Sequence, residues 1–369
     1  MSTHVVARSE LDLLLELLAS DGYEVVGPTV RDGAIIYDHI GSTRDLPVGW
    51  TDQQDGGKYR LSRRDDEALF GYNVGPSSWK TFLFPPRLEL FRVEQNGNGT
   101  RFLLNDVESP RRALFGVKSC ELAAIAIQDK VFLASGHVDA NYAARRENLF
   151  IVAVDCGTAS GSCFCVSMDT GPGCESGFDL RITEIVSGDG FEYLIQSGTP
   201  EGASLADRLA ARSADDTHIE ARDAALDNAR SEMGLSMDTE GLRDLMVDGF
   251  DHPRWQEVAD RCLTCGNCTL VCPTCFCSTA TDSVTLDGVA SRTRVWDSCF
   301  SLDFTGLHGH PVRSSAKSRY RQWMTHKLAT WQDQFGTMGC VGCGRCITWC
   351  PVGIDITAEV RAMREEVSV

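Results

Sequence analysis

Two cysteine runs with the same spacing constrain this chain more than any other feature. They are Cys262-x2-Cys265-x2-Cys268-x3-Cys272-Pro273 and Cys340-x2-Cys343-x2-Cys346-x3-Cys350-Pro351. Soft thiolates at x2 spacing wrap one iron–sulfur cube, and the turn at x3-Cys-Pro carries the fourth sulfur to the neighbouring cube. The spacing therefore predicts one [4Fe–4S] site of Cys262, Cys265, Cys268 and Cys350, and a second of Cys340, Cys343, Cys346 and Cys272. Gly266 and Gly344 occupy the same place in each run and allow close backbone approach to cluster sulfur. The plainer alternative is a pair of structural zinc sites. Such sites use two separated x2 pairs, which these runs ending in Cys-Pro fit poorly.

The stretch between the runs is too long for a small β-hairpin ferredoxin. It contains RYRQWMTHKLATWQDQF (319–335), a helical pattern, and the chain closes on another, IDITAEVRAMREEV. The expectation is an α-helical ferredoxin domain over residues 251–369. Residues 1–200 read differently, as short β-type runs broken by glycine. VVGPTVRDGAIIY (25–37) reads as a hairpin turning at Asp32-Gly33, and ELAAIAIQDKVFL (121–133) as a helix. This half is expected to be an α+β docking domain. Residues 201–250, rich in alanine and charge, form a helical linker or brace.

Lys and Arg total 35 against 52 Asp and Glu, a net charge of -17, which argues against nucleic-acid or anionic-membrane surfaces. No apolar run approaches the roughly 18 residues of a membrane helix. MSTHVVARSELDLLLELLASDGYEVVG carries acids within its apolar stretch. It reads as an amphipathic helix with Leu11, Leu14, Leu15 and Leu18 on one face, not as a signal peptide. A cytoplasmic protein is expected, and in that compartment dense cysteine points to metal rather than disulfides.

There are sixteen cysteines, so the two runs leave eight over. Cys120 lies in FGVKSCELAAI, and Cys156, Cys163 and Cys165 lie in the Gly- and Ser-rich DCGTASGSCFCVSM. These four are the candidates for a third cluster, with zinc or structural thiols as the other readings and Cys174 as a substitute ligand. Cys275 and Cys277 follow the first run in CPTCFC, and Cys299 sits in VWDSCFS. Three sulfurs without a visible fourth favour buried packing over an extra cluster or a redox pair.

No GxGxxG after a strand, no Walker A run and no CxxCH is visible, so neither flavin nor nucleotide is expected on this chain. His308 and His310 in GLHGHP read as an exposed loop. His326 and Lys327 sit on the expected helix between the runs, placed to tune a cluster or simply to pack. No catalytic residue is singled out, and the chain is not expected to be an enzyme by itself.

Taken with YNVGPSSWKTFLFPP, LFGVKSCELAAI, DCGTASGSCFCVSMDTGP, RVWDSCF and RYRQWMTHK, the two runs make the chain resemble the iron–sulfur β subunits of cytosolic sulfhydrogenases, [NiFe] hydrogenases also described as sulfur reductases. It is similar as well to the A subunit of anaerobic sulfite reductase. The resemblance spans residues 70–357. It implies an electron carrier between a flavin- and NAD(P)-binding diaphorase subunit and the [NiFe] hydrogenase subunits, or within a sulfite reductase complex. It also implies cluster ligation by Cys120, Cys156, Cys163 and Cys165. One departure from the family pattern is Lys118-Ser119 before Cys120, where Arg-Pro is expected. The rival readings are a sensor that signals by cluster loss, and a stand-alone enzyme reducing a sulfur compound at CPTCFC.

Overall fold

Alternation along two strands organises the N-terminal half. In Arg112–Lys118, Ala113 and Phe115 enter one apolar core and Leu114 and Val117 the opposite one. A bulge at Gly116, with φ 86°, preserves that facing. In Leu149–Val154, Phe150, Val152 and Val154 face the first core, and Ile151 and Ala153 the second. Strands apolar on both faces belong in the middle of a covered, parallel sheet.

The computed structural model describes residues 3–96, 99–105, 107, 109–134, 136–187 and 190–367. Within these, an eight-stranded sheet runs in the order Arg212–Ser213, Thr3–Val6, Gly190–Ser197, Leu180–Ser187, Leu149–Val154, Arg112–Lys118, Glu24–Arg31, Ala34–His39. The pairs joining Leu180–Ser187, Leu149–Val154, Arg112–Lys118 and Glu24–Arg31 are parallel. The helix Arg8–Ser20 covers one face with Leu11, Leu14, Leu15 and Leu18, as its pattern predicts. The helix Ser119–Phe132 covers the other with Leu122, Ile125, Ile127 and Val131. The region is thus mixed sheet and helix. The hairpin expected over 25–37 is present, with Asp32 and Gly33 both at positive φ, as its two-residue turn requires.

A second, four-stranded sheet joins distant parts of the chain. Ser278–Val284 pairs with Ala290–Trp296, which pairs with Arg87–Asn96, which pairs with Gly99–Leu104. Between 201 and 250 the chain forms the helices Pro200–Ala206, Asp216–Ser231 and Leu242–Asp248. The cysteine-rich part is built on Arg254–Arg261, Ala316–Phe335 and Ile356–Val367. Trp255, Val258, Tyr320, Trp323, Met324, Leu328, Val360 and Met363 from these helices form one buried cluster. The 316–335 helix runs through a wider, π-type turn at His326–Thr330. Such turns displace side chains from regular helical spacing, and this one carries Lys327 into the interior.

Candidate iron–sulfur centre

The first run starts where the helix Arg254–Arg261 ends. Cys262 is its C-cap, and Gly266, at φ 77°, opens the short helix Asn267–Leu270 that carries Cys268. Cys262, Cys265, Cys268 and Cys350 line one cavity. Burial and then the neighbouring Cys350 and Cys265 raise Cys262, despite a backbone N–H from Thr264 at 3.4 Å. Burial, then Cys262, Cys350 and Cys265 push Cys268 well up. Ile354 donates its N–H to Cys350 Sγ at 3.3 Å. The four residues grouped from spacing are therefore electrostatic neighbours.

The second run repeats the geometry deeper in the fold. Gly344, at φ 71°, opens the short helix Arg345–Thr348. Burial pushes Cys340 up to about 11, with Cys343 and Cys272 adding to it and Lys327 opposing. Cys346 is raised by burial and then by Cys340, Cys343 and Cys272. Cys272 goes the other way. A hydrogen bond from Cys275 is the first cause, followed against burial by Lys327 and Thr274. Lys327 Nζ lies 3.3 Å from Cys272 Sγ, and also donates to Thr274 Oγ1 at 3.1 Å and Gly339 O at 2.7 Å.

The N-terminal cysteines form a third neighbourhood. Cys120 begins the helix Ser119–Phe132. Cys156, Cys163 and Cys165 follow the strand Leu149–Val154. Burial raises all four, Cys163 to about 11, and all but Cys156 also feel other members of the set and Cys343. Cys174 is buried beside Asp155 and Cys156. The loop rests directly on the second run. Phe164 N donates to Gly342 O at 2.9 Å. A Cβ on Gly342, which has φ 63°, would lie 2.5 Å from Phe164 O, and one on Gly344 would lie 2.3 Å from Ser162 O. Only glycine permits this approach.

Between the second run and the N-terminal set lies a buried ion pair that spacing did not reveal. Arg345 meets Glu121 Oε1 at 2.7 Å, with side chains 0% and 1% exposed. Arg345 Nε also donates to Gly75 O at 2.8 Å, and Tyr37 OH donates to Glu121 Oε2 at 2.7 Å. The only sequence signal was a charge inside each of two apolar contexts, GCGRC and CELAAI. The other missed residue is Lys80, buried, which donates to Cys275 O at 3.1 Å and stacks on Trp296. His308 and His310 lie exposed, in and beside a two-residue strand pair.

Buried thiols this crowded raise one another toward neutrality. A cationic iron–sulfur group removes that repulsion, so the donor sets fit such a group. Among the described residues no group of three or more His, Cys, Asp or Glu is placed to hold one metal ion. The 4Fe-4S dicluster domain family matches residues 261–354. Sulfhydrogenase 2 subunit beta of Pyrococcus furiosus is 33% identical over 305 residues, 81% of this chain and 86% of the relative. The chain belongs to the sulfhydrogenase beta-subunit family. It carries that family's iron–sulfur character in its dicluster domain. No solved structure matches it. Among the described residues no helix is long and apolar enough to cross a membrane.

Proposed function

We propose that this chain is the electron-relaying iron–sulfur subunit of a multi-subunit, cytoplasmic oxidoreductase. Residues 251–369 act as an α-helical ferredoxin domain, 201–250 as a brace and 1–200 as the docking domain. The cluster ligands are Cys262, Cys265, Cys268 and Cys350 for one centre, and Cys340, Cys343, Cys346 and Cys272 for the second. Cys120, Cys156, Cys163 and Cys165 hold a third. Bound [4Fe–4S] groups supply one-electron exchange. The protein positions the thiols, excludes water from the two inner sets and places Lys327 and Arg345 as fixed positive charges beside them. The partners are a flavin- and NAD(P)-binding subunit and [NiFe] hydrogenase subunits.

One observation carries this reading. Cys268 neighbours Cys272, and Cys343 neighbours Cys120, Cys163 and Cys165, so the three thiol sets form one continuous line. The test is iron and acid-labile sulfide per chain in protein purified without oxygen, with EPR of the reduced sample. About twelve irons per chain, with about four lost in Cys163→Ser, supports three centres. About eight, unchanged in that variant, removes the third. Zinc in place of iron sinks the relay. Co-purification of sulfite reductase subunits instead of hydrogenase subunits would reassign the complex.

A further inference from the structure

The three cysteines that follow the first run are not all buried packing. Cys275 is buried, but Cys277 and Cys299 are half-buried and open onto a cavity of about 420 Å³. The antiparallel pair Ser278–Val284 and Ala290–Trp296 brings them together. Just beyond its end, Asp297 N donates to Cys277 O at 2.9 Å, which ties the two segments together beside the cavity. Cys277 and Cys299 line the same cavity, and Cys299 is the first cause of the lowering of Cys277.

The wall around the pair is cationic and aromatic. Arg313 and Lys327 supply its charge, burial pushes His326 toward the neutral ring, Phe304, Trp323 and Trp331 complete the wall, and no carboxylate lines it among the described residues. In a chain of net charge -17 such a wall selects for negative charge. We infer that Cys277 and Cys299 form a redox-active dithiol site that accepts small anionic disulfides from this cavity.

Cys277 is the attacking sulfur. Hydrogen bonding from Cys299, aided by Lys327 and Lys80 against burial, lowers it to about 7, while Cys299 is raised by the same hydrogen bond. Cys277 thiolate attacks one sulfur of the ligand, forms a mixed disulfide and releases one thiolate. Cys299 then loses its proton to solvent and attacks Cys277 Sγ. This forms the Cys277–Cys299 bond and releases the second thiolate. The pair loses two electrons and the ligand gains two. The exchange needs no metal, so it stands or falls apart from the relay.

The full chain, purified without oxygen, is treated with 3,3′-dithiodipropionate, a dianion, or cystamine, a dication, and mapped by peptide mass spectrometry. Wild type is expected to form the Cys277–Cys299 disulfide, at least about tenfold faster with the dianion. Cys299→Ser should hold a mixed disulfide at Cys277, and Cys277→Ser should leave Cys299 unlabelled. Iron content equal to wild type shows that the variants fold. An unlinked pair in wild type, or no adduct at Cys277 in folded Cys299→Ser, overturns the site. Equal or faster reaction with cystamine overturns the anionic ligand class.

Discussion

The two cysteine runs share one spacing and differ in burial at matching positions. In the first, Cys265 is exposed and Leu263 is 61% exposed. At the matching places in the second run, Cys343 is buried and Val341 is 2% exposed. Thr264 in the first run matches Gly342 in the second, and Asn267 matches Arg345. Thr264 sits half-buried at φ 52°. Gly342 sits at φ 63° against the N-terminal cysteine loop, where a side chain has no room. Asn267 makes one long hydrogen bond, to Trp349 O at 3.3 Å, whereas Arg345 makes the buried pair with Glu121. One motif thus stands in a more open setting in the first run and a more enclosed one in the second. The residues between the cysteines set the difference.

The largest contrast is expected at the Thr264 and Gly342 positions. Gly342→Ala forces the 162–165 loop away and is expected to destabilise the chain by about 3 kcal/mol or more, with loss of about four irons. Thr264→Gly relieves a β-branched residue at positive φ and is expected to be neutral or stabilising by about 1 kcal/mol. Anaerobic denaturant unfolding and iron analysis read both. Equal losses would mean that the two runs are not differently packed.

Next comes the charge. Arg345→Met leaves Glu121 buried without its partner and is expected to cost about 3–5 kcal/mol. Asn267→Ala, at the matching place, is expected to cost about 1 kcal/mol or less. The double variant Arg345→Met with Glu121→Gln should recover part of the loss in the same unfolding experiment. No recovery would show that Arg345 acts through something other than Glu121.

A smaller effect separates the centres by potential. Lys327→Gln removes a cation bound to Cys272 Sγ. It is expected to lower the midpoint potential of the centre of Cys340, Cys343, Cys346 and Cys272 by on the order of 50 mV, leaving the outer centre nearly unchanged. EPR-monitored redox titration checks it, and equal shifts in both would erase the distinction.

The finest test lies in the tail of the first run. Alkylation of Cys277 should be slow below pH 7 and rise through a midpoint near 7, because its thiolate is favoured there. In Cys299→Ala the first cause of that lowering is gone. The midpoint should then move up toward the ordinary thiol value of 9.0. An unmoved midpoint would assign the effect to Lys327 and Lys80.

Much of this was readable along the chain. Cluster spacing, the Asp32-Gly33 turn and the Leu11–Leu18 helix face depend on residues a few positions apart, and local geometry dictates them. Two copies of one motif also offer a partner for each fourth thiol, which is the basis of the proposed cross-pairing of Cys272 and Cys350. The expected packing role of Cys275, Cys277 and Cys299 was a different matter. Cys275 is buried, but the cavity beside Cys277 and Cys299 is built from residues 304–334, whose approach no local pattern records.

The sequence by itself determined the iron–sulfur character, through two cysteine runs that fall within the matched dicluster domain. Only the tertiary structure decided which positions of each run are buried, and the partners of Arg345, Lys327 and Cys277. Ligand spacing is a short-range property of covalent geometry. Which face meets which, by contrast, follows from packing between segments up to hundreds of residues apart, as where Arg345 reaches Gly75.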